Sequence, residues 1–543
     1  MSSACAVKPR GLRQSMAELH TWAGLLCGWL LYAMFLTGTV SYFKDEFSQW
    51  MRPELAHRQP PPDPARVAQR VAARLGTLAA HSAQWGITLP TARSNVASAF
   101  WRLPPGSPPG RLFGEAAFDP ASGNLARARD TLGGEFFYRF HFQFYYLPPI
   151  WGRWIAGWCA MFMLVAIVSG VITHKKIFVD FFTFRWGKGQ RAWLDAHNAL
   201  SVFGLPFHLM ITYTGLVTLM TMYMPWGQQA AVKTPRQQAA LSSQISAYIQ
   251  PGKPDGRPAA LAPVEAMVRA AQARWGRQGV GMVTVTNPGD RTARVAVARG
   301  EDGRVSQSPQ YLLFDGVTGR LLETHGAVGA AAEVRGVLYA LHLGRFSDVQ
   351  LRWLYFLVSL GGTAMVGTGL VMWTVKRRQQ LADPRRPHVG LRLVERLNVA
   401  SIAGLSIAMT SYLWANRLLP EALARRQDAE VGVFFAAWGA TLLVAIARPA
   451  RRAWIELLWI AAGLLALLPV LNALTTDRPL WRSVADGDWV YAGFDLMMWA
   501  FAALHALLAI GTGRHRARPR PAGRAGGAAH VPPALPGRGE GRR

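Results

Sequence analysis

The sequence predicts an all-α polytopic membrane bundle of about eight spans, with two small α+β domains on one side, built on a duplicated module. Three observations predict it. The 543 residues are 51% hydrophobic and only 17% charged, where soluble domains carry about 25% charge. Lys and Arg collect at alternate ends of the long apolar runs. One ordered set of motifs occurs twice.

The apolar runs that approach the roughly 20 residues needed to cross a bilayer lie at about 19–42, 151–173, 197–224, 353–375, 398–419, 431–448, 453–472 and 490–511. They divide the chain into a leader (1–18), a first span (19–43) and a polar domain (44–147). The second and third spans follow with their loop (148–225), then a second polar domain (226–350) and a fourth span (351–378). A linker (379–397), four further spans (398–511) and a Pro/Gly/Arg-rich tail (512–543), expected to be disordered, complete it. The first span is too long for a removed signal peptide and lacks a small-residue cleavage site, so it is read as an anchor.

The net charge of +28 is not a nucleic-acid footprint, because it follows the spans. Lys8, Arg10 and Arg13 precede the first span. Lys175, Lys176, Arg185, Lys188 and Arg191 join the second to the third. Lys376, Arg377, Arg378, Arg385 and Arg386 follow the fourth, and Arg448, Arg451 and Arg452 separate the sixth from the seventh. The positive-inside rule puts all of these, and both termini, in the cytoplasm of a bacterial inner-membrane protein. Arg417, Arg425 and Arg426 fall on the other side, against the rule. Membrane lipid is the partner implied, and nucleic acid is not.

The polar domains both fall on the non-cytoplasmic side. The first has a helical pattern near 64–80, then strand-like runs at 96–103 and 112–118. The second has a helical pattern near 261–275, then strand-like runs at 281–287, 292–298 and 309–314. Each last run ends in a turn, Phe118-Asp119-x3-Gly123 or Phe314-Asp315-x3-Gly319, which turn chemistry explains without a catalytic role for the carboxylates.

The repeat, roughly 16–176 and 193–378, carries histidines in register. His20 precedes Thr37-Gly38 and His197 precedes Thr214-Gly215, the glycine lying 18 residues on in both. Tyr138-x-x-His141 and Tyr339-x-x-His342 each precede a long apolar helix, holding Ser169-Gly170 or Thr368-Gly369. Ionisable groups in a membrane are costly and mark functional sites. Histidines repeated at span ends are what a membrane cytochrome needs, since neutral imidazole is a good axial haem ligand.

His20, His174 and His197 are placed near the cytoplasmic end of their spans, and His141 and His342 at the opposite interface. His208 lies within the third span; 11 residues after His197 on a continuous helix, it shares that residue's face about 16 Å away. One haem would then pair His197 with His20 or His174, and a second would pair His208 with His141 or His342. Arg153 and Arg352 are candidates to hold haem propionates. Gly24 and Gly28, on the face of His20, and Gly38, Gly170, Gly215 and Gly369 would let backbones or a flat macrocycle approach. The remaining seven histidines, His505 among them, are read as ordinary amphipathic residues. The aromatic run from Phe136 to Tyr146 is read as an interfacial belt, or a landing surface for a large ligand.

The alternatives at the metal level are weak. No Cys-x-x-Cys-His is present for covalent haem, and no His-Glu-x-x-His for zinc. Met220, Met222 and Met224 share no helix face. Of the cysteines, Cys27 and Cys159 lie in spans and Cys5 in the leader, which leaves no disulfide for the polar domains.

The His-headed span, the Phe-Asp-x3-Gly domain and the Tyr-x-x-His before a (Ser/Thr)-Gly span, in that order, resemble the PepSY-associated transmembrane family over roughly 14–380. That family includes iron-regulated inner-membrane proteins and ferric-siderophore reductases, which bind b-type haem between their spans and reduce siderophore iron in the periplasm. The resemblance implies two PepSY-like periplasmic domains, two b haems and reduction of ferric iron on a siderophore during iron uptake. Its histidine pattern falls on His20, His141, His197 and His342, with His174 and His208 as additions. The electron donor, quinol or a cytoplasmic reductant, is left open, and no catalytic residue is assigned. Two other readings stand beside it: a transporter of iron chelates without redox chemistry, and a regulatory or binding membrane protein. The last four spans lie outside the family pattern and are assigned no redox role.

Overall fold

The computed structural model describes residues 11–55, 63–91, 93–94, 96–103, 113–174, 190–246, 252–276, 279–301, 303–326, 328–383 and 386–514. The tail beyond 514, most of the leader, and Lys175, Lys176, Arg185, Lys188 and Arg385 lie outside them. The first copy supplies α1 (Leu12–Ser41), α2 (Lys44–Trp50), α3 (Pro64–Leu78), strands β1 (Gln84–Thr88), β2 (Ala97–Arg102) and β3 (Phe113–Phe118), α4 (Glu135–Gln143) and α5 (Pro149–Thr173). The second supplies α6 (Gln190–Phe203), α7 (Leu205–Thr218), α8 (Val264–Trp275), β4 (Val280–Thr286), β5 (Arg294–Arg299), β6 (Tyr311–Asp315), β7 (Leu321–His325), α9 (Ala330–Leu343) and α10 (Val349–Gln379). A C-terminal block holds α11 (Val389–Leu418), α12 (Arg426–Ala447), α13 (Ala450–Thr475) and α14 (Trp489–Arg514).

Seven of the described helices, α1, α5 and α10 to α14, are long and apolar enough to cross a membrane. An eighth crossing is made by α6 and α7 together, bent by 68°. The chain is a multi-pass membrane protein. The bend corrects the expected continuous span over 197–224. Gly204 separates the two helices and Pro206 stands in the first turn of α7. Proline has no amide hydrogen to continue the ladder, and its ring clashes with the preceding turn. His197 and His208 therefore sit on different helices, and the argument that they share one face fails.

The polar stretches also differ from expectation. They form one seven-stranded antiparallel sheet, ordered β3-β2-β1-β4-β5-β6-β7, rather than two separate domains. The seam is β1 against β4, with Trp85 opposite Val285 and Ile87 opposite Val283. Strands β1 and β7 were not legible as strands. α3 and α8 share one buried core with this sheet, Val71, Leu75, Val268 and Ala271 packing with Ile87, Val283, Val297 and Phe314. Each copy alone would leave half a sheet with an unpaired edge, so pairing β1 with β4 removes that edge and joins the cores. A shared sheet also places both stretches on one side of the bundle, called the sheet side below.

Both Asp-x3-Gly segments are turns. Gly123 and Gly319 have φ of 74° and 72°, the left-handed region that glycine enters without a Cβ penalty. Asp119 accepts from the Ala121 amide at 2.9 Å, and Asp315 from the Val317 and Thr318 amides at 3.1 and 2.9 Å.

The aromatic run has a role other than an interfacial belt. Phe136, Phe137 and Phe140 of α4 are buried with Tyr412, Phe434 and Tyr491 of the C-terminal block. Two of the three basic residues that broke the charge rule lie at the same junction, while Arg425 is exposed and pairs with Asp428. Arg417 stacks 3.8 Å from the Trp50 ring centre and donates to the Trp50 and Asn472 oxygens. Arg426 and Glu430 form a fully buried ion pair, and Thr131 donates to Glu430. These charges are internal fasteners, not solvent-facing topology signals.

Candidate functional site

The four repeated histidines meet as two couples. His20 of α1 faces His197 of α6, with ring centroids 6.2 Å apart and planes at 73°. His141 of α4 faces His342 of α9, at 6.1 Å and 30°. Each couple takes one histidine from each copy, so neither copy alone makes a site.

One local device orients all four rings. Nδ1 of His20 bonds the Ala166 carbonyl at 2.8 Å, His141 the Met34 carbonyl at 2.7 Å, His197 the Met365 carbonyl at 2.9 Å and His342 the Ile211 carbonyl at 3.0 Å. In every case that carbonyl lies four residues before a repeat glycine: Gly170, Gly38, Gly369 or Gly215. A helical side chain covers the turn N-terminal to its own Cα. Glycine leaves that turn bare, so the carbonyl can accept the imidazole. A Cβ at Gly38 would lie 2.7 Å from the His141 ring, at Gly215 2.9 Å from His342, at Gly369 3.1 Å from His197 and at Gly170 3.2 Å from His20. The glycines thus seat histidines rather than a macrocycle. Gly28 packs on Leu370, and Gly24 faces open space.

With Nδ1 donating, Nε2 carries the lone pair, and among the described residues none of the four Nε2 atoms makes a hydrogen bond with the protein. At the sheet-side couple, burial lowers the pKa of both His141 and His342, and the neighbouring His141 helps push His342 down to about 3. Both rings are therefore neutral at physiological pH.

The donor set decides which metal group fits. Among the described residues no three or more His, Cys, Asp or Glu side chains gather as metal ligands. A bare transition metal ion wants about four ligands, whereas iron in a porphyrin asks the protein for only two axial ones. Each couple presents two imidazoles whose Nε2 atoms have no hydrogen-bond partner among the described residues, a two-donor set that a haem iron would accept. The couples fit haem.

The other expected positions are arranged differently. His174 Nε2 accepts from the Asn198 amide at 2.8 Å, so its lone pair is taken, and it joins neither couple. His208 is buried beside Phe35 and Gly362 without a well-formed hydrogen bond at either ring nitrogen, and it also stands outside both couples. Arg153 donates to Gln143 and lies over the Phe142 ring, while Arg352 pairs with Glu46 and donates to the Ser347 carbonyl. Neither arginine lines the cleft of about 190 Å³ at the His141–His342 couple; Lys44, Arg93 and Arg345 do, beside Tyr138 and Tyr339. The tyrosines were legible as part of the repeat, but the three cations carried no signal in it. His388 caps α11 by accepting from the Leu391 amide, His505 bonds its own helix at Phe501, and His325 stacks on Tyr311. His57, His515 and His530 lie outside the described residues.

Comparison with known proteins decides the family. The model of the PepSY-associated TM region matches residues 17–376, two thirds of the chain and all of the histidine geometry above. The chain belongs to the PepSY-associated TM family. It is similar to an uncharacterized protein of Pseudomonas aeruginosa, 24% identical over 351 residues, a match that spans 61% of this chain and 78% of that one. The family match stops at the end of α10, so the four helices of the C-terminal block are an addition to the PepSY-associated region.

Proposed function

We propose that this PepSY-associated protein is a di-haem reductase of the bacterial inner membrane that delivers electrons to ferric iron held by a siderophore on the sheet side, the periplasm. The observation that carries the reading is the two cross-copy histidine couples, each with ring centroids about 6 Å apart and both Nδ1 atoms tied to helical carbonyls, which leaves Nε2 without a protein partner among the described residues. Haem b, held by His20 with His197 and by His141 with His342, would supply reversible one-electron iron chemistry at two depths of the membrane. The protein's own part is orientation and solvation. The four Nδ1–carbonyl bonds fix the tautomer and aim each ring, as outer-shell partners do at metal sites. Met34, whose carbonyl holds His141, is 14 residues after His20 on the unbroken α1, so the two levels are about 21 Å apart. Cys27, Leu31, Cys159, Met163 and Met365 pack between α1, α5 and α10 with no charged group among them. Lys44, Arg93 and Arg345 line the sheet-side cleft, where they are paired with Asp45, Glu46, Glu135 and Glu301. Arginines and lysines at the far ends of α10, α12 and α13 support cytoplasmic termini by the positive-inside rule. The choice of a ferric siderophore rests on the family resemblance, and quinol or a cytoplasmic reductant is the electron donor.

Reduced-minus-oxidised absorbance of the purified protein, expressed with ample haem, tests this. Wild type is expected to hold about two b haems per chain, His197→Ala and His342→Ala about one each, and His208→Ala both. Stopped-flow mixing of the reduced protein with a ferric siderophore and a ferrous trap then reads iron reduction. A wild type without haem would sink the reading and bring chelate transport or periplasmic regulation forward.

A further inference from the structure

A fissure of about 2570 Å³ separates the duplicated module from the C-terminal block. One wall is α10, and the other is α11, α13 and α14. Between its ends the lining is mostly apolar, with Val371, Val375, Ile402, Leu458, Leu504 and Leu508, interrupted by Thr374, Asn398 and Thr410.

Its two ends differ in chemistry. At the sheet-side end the module and the block touch directly: Trp50 stacks on Phe494 with centroids 4.4 Å apart, and the Tyr491 hydroxyl donates to the Gln49 carbonyl at 2.9 Å. The charges there, Glu46 and Arg352, are paired with each other. At the far end six arginines line the mouth, Arg378, Arg386, Arg392, Arg396, Arg448 and Arg451, against one carboxylate, Glu395. Glu395 is engaged by Arg378 at 2.7 and 2.8 Å, and Arg448 reaches Glu456 at 3.2 Å. Arg451 donates to the Thr512 and Gly513 carbonyls. Arg386, Arg392 and Arg396 have no carboxylate partner among the described residues.

We propose that this fissure is a binding site for one anionic phospholipid of the leaflet opposite the sheet, its phosphate held by the far-end arginines and its acyl chains filling the apolar gap between module and block. Acyl chains reach about half of a 30 Å hydrocarbon core, so a lipid headed at the arginines fills the far half, where the protein's own packing is open. Guanidinium suits phosphate oxygens in bidentate geometry, and basic pockets between spans on the cytoplasmic side are anionic headgroup sites. A net-neutral headgroup would leave the excess positive charge uncompensated. The lipid would thus add to the protein contacts of that half, the Arg378–Glu395 pair and the bond from the Asn398 amide to the Leu370 carbonyl.

The test uses the full-length protein in two measurements. Wild type in phosphatidylcholine vesicles is probed with spin-labelled phosphatidylglycerol and, separately, spin-labelled phosphatidylcholine. The immobilised fraction should be at least three-fold larger for phosphatidylglycerol and shrink in high salt. Phospholipid retained through detergent purification is then identified by mass spectrometry: about one anionic lipid per chain in wild type, reduced at least five-fold in Arg392→Gln/Arg396→Gln. Gly511→Trp fills the far half of the groove from α14, where a Cβ meets nothing within 4 Å, and should expel the lipid with all arginines in place. Equal immobilisation of the two labels, retained lipid of bulk membrane composition, or a phosphorus-free isoprenoid in the groove would each overturn the proposal. None of these readouts depends on haem, so the electron-transfer reading stands or falls separately.

Discussion

The two copies of the module reach the same histidine geometry from different surroundings. In the first, α1 is one unbroken helix of 30 residues, and α4 with His141 is sealed against the C-terminal block by Phe136, Phe137 and Phe140. In the second, the corresponding span is broken at Gly204 and bent by 68°. There α9 with His342 has no such cover, and its Val334 is 60% exposed. Yet all four Nδ1–carbonyl bonds fall between 2.7 and 3.0 Å. The constraint that held is local: one imidazole, one helical carbonyl, and a glycine that leaves it bare. The surroundings were free to diverge because a hydrogen bond four residues before a glycine needs only two packed helices.

The sharpest way to break that equivalence is to change what surrounds one copy. Phe137→Ala removes a fully buried ring at the α4 junction and should cost about 3–5 kcal/mol. Leu338→Ala, four residues before His342 as Phe137 is before His141, is only half-buried and should cost less than half as much. Thermal unfolding of the two variants compares them. If α4 is positioned by the block, Phe137→Ala also perturbs the spectrum of the haem proposed for the sheet-side couple, and Leu338→Ala leaves it unchanged.

A glycine series sharpens the comparison from within the device. Ala at each repeat glycine should weaken its histidine seat in the order Gly38, Gly215, Gly369, Gly170, following the Cβ-to-ring clearances of 2.7, 2.9, 3.1 and 3.2 Å. Losing a buried imidazole–carbonyl bond costs about 1–3 kcal/mol. Haem occupancy and midpoint potential should follow that order. An order that tracks copy rather than clearance would show that the surroundings matter more than the seat.

The smallest effect is expected at the repeated turns. Asp315 accepts from two amides and pairs with Arg294 at 3.1 Å, whereas Asp119 accepts from one amide and the Ser122 hydroxyl. Asp315→Ala should cost about 1–2 kcal/mol and Asp119→Ala about 1 kcal/mol or less. Chemical denaturation reads both. Haem content and iron reduction should not change in either, and a loss of reduction with stability intact would instead make the carboxylate a functional group.

The sequence by itself determined the spans, the duplication and the four histidines, because apolar length and repeated motifs are local properties of the chain. It also placed Gly38, Gly170, Gly215 and Gly369 in the right company, though not in the right role. Only the tertiary structure decided the partners. His197 lies opposite His20 rather than His174 because α1 and α6 bring them together across the copies, and no spacing within a copy encodes a contact between copies. The merger of two polar stretches into one sheet has the same cause, since the β1–β4 seam joins residues about 200 apart in the chain. The break at Gly204 was written in Gly204-Leu205-Pro206, but the surrounding apolar run hid it. Arg417 and Arg426 looked like misplaced topology signals, because a charge count cannot distinguish a solvated arginine from one buried against Trp50 or Glu430.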